Sequence, residues 1–290
     1  VSLSNNSLWN TYSEYNDNAS QTELRFQNDA LESETKLRLA VNRFAEGWKW
    51  SHGLNLQRAF YENSTLNTLA AYQYNTSLDF LNYGLFAQGS KDFLQDRLAL
   101  SFGFRMDGDT FIKGSNLLKT FSPRASASYA LTPSWKLNGT AGVYYKIPPY
   151  TMLGFQNTAQ EFLNQDLDYT RSTHLVLGVE KILNPTARVS LEGFYKYYSD
   201  YPVSLEDGVS IANKGAGFEV LGNEAIASVG KGKAYGLELL WQQKLTDRFF
   251  GIFSYTYFYS TFSGLDPKVF RPSVWDSRHL ASFPTGYKLP

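Results

Sequence analysis

The sequence predicts an all-β protein: part of an antiparallel transmembrane β-barrel, with about a dozen strands. Three observations predict it. Apolar and polar residues alternate with a period of two over runs of ten or so residues, which is the signature of a two-faced strand. The joins between these runs are alternately short and long. Aromatic residues make up 16% of the 290 residues, with 20 Tyr and 21 Phe, a load that fits girdles at the two edges of a bilayer.

Composition narrows the rest. The 27 basic and 27 acidic residues cancel, so no basic field calls for nucleic acid as a partner. Cysteine is absent, which removes disulfides and thiolate metal sites. No run nears the ~18 consecutive apolar residues of a spanning helix, although barrel strands cross by alternation instead. Val1 opens in strand-like material and Lys288-Leu289-Pro290 stops abruptly, so we expect an internal piece of a longer protein, with a mature protein trimmed at both ends as the alternative.

Along the chain, residues 17–32 and 60–82 are polar and mixed, and their boundaries are not set by pattern. Glu46-Gly47 and Asp92 to Asp96 read as short turns. Leu98, Leu100, Phe102, Phe104 and Met106 then oppose Arg97, Ser101, Gly103, Arg105 and Asp107. A long join spans 108–119, a strand runs to Tyr129, and Thr132-Pro133-Ser134 turns the chain. Trp135, Leu137, Gly139, Ala141, Val143 and Tyr145 oppose Lys136, Asn138, Thr140, Gly142, Tyr144 and Lys146.

After a second long join, 147–170, Leu175, Leu177 and Val179 oppose His174, Gly178 and Glu180, and Asn184-Pro185-Thr186 turns again. Ala187, Val189, Leu191, Gly193, Tyr195 and Tyr197 oppose Arg188, Ser190, Glu192, Phe194, Lys196 and Tyr198. The third long join, 199–232, is glycine-rich. Tyr235, Leu237, Leu239, Trp241 and Leu245 then oppose Gly236, Glu238, Gln242 and Lys244. Beyond Thr246-Asp247, residues 249–262 begin apolar on both faces, as for a strand covered on its inner side. The fourth long join is 263–275. Pro284 would remove a ladder donor from the last strand. Short turns at one end and long loops at the other match an outer-membrane barrel.

Several segments resemble TonB-dependent outer-membrane receptors of the Bacteroidota type. They are Leu98 to Asp107, Phe121-Ser122-Pro123-Arg124 with Leu131 to Leu137, Gly142 to Tyr150, Lys233 to Leu239 with Ser254-Tyr255-Thr256-Tyr257, and Trp275-Asp276-Ser277-Arg278-His279. The resemblance covers roughly residues 84–289. It implies a barrel of about 22 strands whose lumen is plugged by a separate N-terminal domain. Residues 1–290 would be a fragment of the barrel domain, with the plug outside this chain. It also implies as partners the plug, the TonB energy-coupling complex, outer-membrane lipid and an imported solute: an iron chelate, cobalamin or a glycan.

Arg97, Arg105, Arg124, Lys136, Arg188, Lys196 and Lys244, with Glu180, Glu192 and Glu238, are expected to face the lumen. They would grip the plug and guide a charged solute, although any wet barrel interior shows such polarity. The tyrosine runs Tyr144-Tyr145, Tyr195-Tyr197-Tyr198 and Tyr255-Tyr257-Tyr259 suit interfacial anchoring. The loop aromatics Tyr150, Phe155, Phe162, Phe218 and Phe270 are better candidates for ligand stacking than those at strand ends, although loop packing is the more common role for any one of them. Gly230-Lys231-Gly232 precedes a strand, so a phosphate cradle at a helix start does not apply. His52, His174 and His279 are scattered, and no metal, cofactor or catalytic triad is expected. Active import in the outer membrane of a Gram-negative bacterium is the leading expectation. A passive porin-like or hydrophobic-solute channel is the alternative. A barrel enzyme and a soluble carbohydrate-binding β-protein are further readings with less support from the residues.

Overall fold

A computed structural model describes residues 1–69, 72–215 and 221–289. Its strands are β1 (Ser2–Asp17), β2 (Thr22–Ala45), β3 (Trp48–Asn67), β4 (Tyr72–Phe93), β5 (Leu98–Asp109), β6 (Ser122–Thr132), β7 (Trp135–Lys146), β8 (Thr170–Asn184), β9 (Ala187–Ser204), β10 (Ile226–Gln243), β11 (Phe249–Ser263), β12 (Phe270–Pro272), β13 (His279–Ser282) and β14 (Thr285–Tyr287). They form one antiparallel sheet in chain order, and β12, β13 and β14 all pair with β11. These three act as one interrupted strand. Pro284 falls in the gap between β13 and β14, where only its carbonyl is used, by the Ile252 N–H at 3.0 Å. The ladder thus avoids the donor that proline lacks.

Register fixes the two faces, because directly opposed residues share a side. Leu137 opposes Val179 and Tyr129, Leu177 opposes Gly139 and Gly193, and Leu237 opposes Gly193 and Tyr257. This face leaves large apolar side chains uncovered: Leu177 is 61% exposed and Leu237 53%. The other face is covered by loops at one end and lined with polar groups, so it is the inner one. Leu100 lies on the outer face and is itself exposed, as a lipid-facing stripe requires.

Aromatic rings bound the outer band. Near the short turns, Trp48, Trp50, Phe93 and Phe102 pack together at centroid separations of 5.1–6.1 Å. Toward the loops, outward positions of β3 run Trp50, His52, Leu54, Leu56 and then Arg58, whose Nε donates to Asp79 at 2.9 Å. From Trp48 to that ion pair is about the ~9–11 residues a tilted strand needs to cross a bilayer.

Short turns close where the sequence places them. Glu46 and Gly47 both take positive φ, 51° and 77°, the geometry a two-residue hairpin uses to match strand twist. At the loop end the outcome differs from the pattern. Residues 17, 22–32, 60–67 and 72–82 belong to four long strands, of 16, 24, 20 and 22 residues, that rise past the bilayer. The glycine-rich join is shorter than expected: β9 continues to Ser204 and β10 begins at Ile226. Bulges at Ser228/Gly230 and Gly230/Gly232 absorb the irregular stretch into the strand.

Candidate functional site

Two regions carry the polar chemistry: the inner wall and the packed loops above it. On the wall, the expected inward set divides by register. Arg105 opposes Phe86 and is held by Asp107 through two hydrogen bonds, 2.7 and 2.6 Å. Arg124, His174 and Lys196 fall in one row, linked through Gly142. The Arg124 guanidinium lies 4.3 Å from the Tyr144 ring centroid, and that ring packs on His174 at 4.6 Å. Arg38, which the pattern did not single out, lies 4.7 Å over Phe86. Arg38, Arg105 and Arg124 surround a hollow of about 370 Å³, shared with Ser101, Ser126 and Thr140.

Nearer the short turns, Arg188 donates to Glu180 and to Gln242, both at 2.9 Å, and Lys136 opposes Glu180 in register. Lys244 lies just past the end of β10 and borders the same hollow as Glu180 and Arg188. Glu192 and Glu238 stand directly opposite each other on β9 and β10. Among the described residues neither makes an ion pair.

Arg97 departs from expectation. It sits in the turn before β5, after three residues of positive φ, Leu94, Gln95 and Asp96. Its guanidinium lies 5.5 Å over the outward Tyr129 ring and donates to the Ala130 and Leu131 carbonyls. The two-residue parity does not carry through such a turn, so Arg97 anchors the rim instead of lining the lumen. Two tyrosines of the expected girdle also face inward: Tyr144, already placed beside Arg124, and Tyr198, packed on Tyr201 and Phe262 at 6.1 and 5.3 Å.

The loops form a small core on the inner side of β2–β4. The short helix α1 (Tyr150–Leu153) sets Tyr150, Met152 and Leu153 against Ala59, Tyr61, Leu78 and Phe80. Tyr150 is therefore buried, at 8% exposure, and its ring face is loop-packing surface. Its hydroxyl donates to Glu34 at 2.8 Å and accepts from Gln57 at 3.2 Å. Burial, then the Glu34 carboxylate, pushes its pKa well above the usual phenol range. Phe155 packs at 6.0 Å from Tyr74, and Phe162 meets Phe111 edge-on at 5.1 Å. Phe270 starts β12 beneath the Lys233 ammonium. Phe218 lies outside the described residues.

Asn164 joins two loops. It is 1% exposed, donates to the carbonyls of Met152 (2.8 Å) and Glu224 (2.9 Å), and accepts from the Ile226 N–H (3.0 Å). Gly222, at φ 90°, passes so close to Met152 that a Cβ there would meet its side chain. Tyr169 donates to Asp109 at 3.0 Å, and Asp109 accepts from the N–H groups of Phe111 and Ile112. Burial and the Asp109 charge raise the Tyr169 pKa strongly. These long-range contacts leave no local sequence signal.

Lys214 bridges Asp207 and Glu224, at 2.9 Å to each. The Lys214 hydrogen bond, then the Val209 N–H, depresses the Asp207 pKa. Burial works against the Lys214 charge, but its bonds to Asp207 and Glu224 outweigh that and raise its pKa. The carboxylate's contribution is present above its ordinary pKa and is lost as pH falls through the depressed folded value. The ammonium's is present below its ordinary pKa and is lost as pH rises through the raised one. The amide protection factors of residues 205–215, with the intrinsic pH dependence of exchange divided out, are thus expected to be highest near neutrality and to fall at both extremes. Protection that rises on acidification would contradict this.

The TonB dependent receptor-like β-barrel family matches residues 2–289. No curated protein sequence matches the chain. Among solved structures, the FpvAI–pyocin S2 complex is similar at TM-score 0.63 and 14% identity, over 99% of this chain and 42% of that one. The ferric-catecholate import receptor Fiu from Escherichia coli K12 gives 0.61 and 14%, over 91% and 43%. The copper transporter OprC gives 0.58 and 16%, over 81% and 39%. The chain spans about two fifths of the length of these three. The lipid-facing outer band, the one-sided loops and the family match agree: the chain belongs to the TonB-dependent receptor β-barrels, integral proteins of the bacterial outer membrane.

Proposed function

We propose that this chain is part of the wall of a plugged barrel that actively imports a scarce solute, with energy delivered by the TonB complex. It makes and breaks no covalent bonds. Iron chelates, cobalamin and glycans are the solute classes in view. The observation that carries the reading is the inner wall's uncompensated charge. Glu192 faces Glu238 across one ladder, and like charges so placed repel. Arg38, Arg124 and Lys196 have no ion-pair partner among the described residues, and each lies over an aromatic ring. A polar domain inside the lumen supplies the missing partners, which an open pore would leave to water. The edge strand β1 pairs only with β2 among the described strands. Lipid does not tolerate an open edge, so further strands complete the wall.

The test is uptake by cells expressing the full-length protein. Labelled iron chelates, cobalamin and oligosaccharides are offered to cells with and without the energy-coupling protein. Active import predicts that accumulation of the cognate solute disappears without coupling. Equal accumulation in both strains would establish a passive channel instead.

A further inference from the structure

The outer face carries a cluster of cations that import does not use. Tyr195, Tyr235 and Tyr259 stack side by side across β9, β10 and β11, with centroid separations of 6.3 and 5.4 Å and interplanar angles of 27° and 11°. Amphipathic rings in such a row settle at head-group depth. On the loop side of this row, Lys233 stands two residues beyond Tyr235 on the same face, its ammonium 4.7 Å over the Phe270 ring. Lys231 follows two residues further and is exposed, its N–H bonded to the Ser263 hydroxyl at 3.0 Å. The Arg278 guanidinium lies 3.8 Å over the Tyr259 ring at the end of the row.

We propose that Lys231, Lys233 and Arg278 form a docking site for the phosphate head groups of lipid in the loop-side leaflet. The proposal rests on the outer face being lipid-covered, and it is independent of which solute the barrel carries. Charge supports it. Lys231 and Lys233 have no ion-pair partner among the described residues. Asp276, which pairs with Arg278 at 3.1 Å, has a side chain only 2% exposed, so its charge is withdrawn from the surface while Arg278 keeps 37% of its side chain open. Geometry supports it too. Rings fix two of the cations in place, and a phosphate can accept from several charged donors at once. The acyl chains then run down the exposed Tyr195, Tyr235 and Leu237 face.

The opposite rim lacks this arrangement. Lys91, Arg97 and Lys181 also lie over rings there, of Trp48, Tyr129 and Trp135. Lys91 and Arg97, however, already donate to backbone carbonyls, and Lys181 lies on a different hairpin from them.

The experiment uses the full-length protein in nanodiscs of phosphatidylcholine doped with bisphosphorylated lipid A. Native mass spectrometry counts the lipid A retained. One interfacial cation contributes about fivefold, so three contribute about a hundredfold in retention. Lys231→Gln/Lys233→Gln/Arg278→Gln is expected to lose that retention. Lys231→Gln/Lys233→Gln, which leaves the Arg278–Asp276 pair whole, is expected to lose the larger part of it. Lys181→Gln, on the other rim, should retain lipid A like the parent. Equal retention by the parent and the double variant would overturn the proposal, as would equal loss with Lys181→Gln. Displacement of lipid A by millimolar inorganic phosphate would also overturn it, marking a simple oxyanion site. Solute uptake measured alongside separates this proposal from the import reading, because uptake should survive the double variant.

Discussion

Leu177→Arg is expected to destabilise the barrel by about 2–4 kcal/mol, the cost of a cationic side chain on the lipid face near the bilayer midplane. Leu177 lies halfway along β8 and is 61% exposed on the outer side, opposite Gly139 and Gly193. Neither glycine offers a side chain behind which an arginine could hide. Each end of β8 is seven residues away, so snorkelling to the interface is only partial. The inner face supplies the control. Asn138 opposes Gly178, the residue next to Leu177, and so lies at the same depth. It is flanked by the inward Glu180 and by Glu192, whose side chain leans over Gly178. Asn138→Arg is expected to change stability by less than about 1 kcal/mol, because it gains opposite charge in a wet environment. Urea titration of the refolded full-length protein in vesicles measures both. Equal costs would mean that the two faces see the same solvent, and the membrane reading would fail with them.

The contrast between those two neighbours is also why the wall was legible from sequence. In the strands between Leu98 and Phe262 the outer face meets hydrocarbon, so every second residue there must be apolar, and the rule survives at most positions. Above the bilayer no solvent imposes it. In β2, residues 27–33 are Gln-Asn-Asp-Ala-Leu-Glu-Ser, and both faces accept polar groups because one side meets water and the other meets the loops. Hence the first four strands were found only in the structure, although β2, β3 and β4 are the longest in the sheet. Arg97 fails for a related reason. Parity describes a ladder, and three positive φ values end the ladder before Leu98. The loop core was illegible because its partners are remote in sequence. Tyr150 meets Glu34 116 residues away, and Tyr74 meets the Gly154 carbonyl 80 residues away. The like charges that face each other at Glu192 and Glu238 are where the sequence of the wall points beyond the wall itself.

Asn164→Ala is expected to release the loop assembly while leaving the barrel intact. The amide serves three buried backbone groups: the carbonyls of Met152 and Glu224 and the N–H of Ile226. Removing it leaves all three without their partner, at about 1–3 kcal/mol each if they stay dry. Water will reach some of them in a surface loop, so a total of roughly 3–5 kcal/mol is expected. That exceeds what a small loop core can absorb, and segments 147–169 and 221–225 should open together as one unit. Asn164→Asp separates hydrogen bonding from packing. It keeps the shape and the acceptor for Ile226, but sets a carboxylate against two carbonyl oxygens, and it should be as damaging as alanine. Hydrogen exchange should show fast amides in both loops and unchanged protection across β7, β8 and β9, whose ladders do not depend on Asn164. If Asn164→Asp behaved like the parent, the two donated bonds would carry no weight, and the coupling would have to come from Met152, Leu153 and Ile226 packing alone. In the import reading the opened variant should bind solute more weakly at the cell surface. That loss should accompany the exchange change, since both would follow from one released contact.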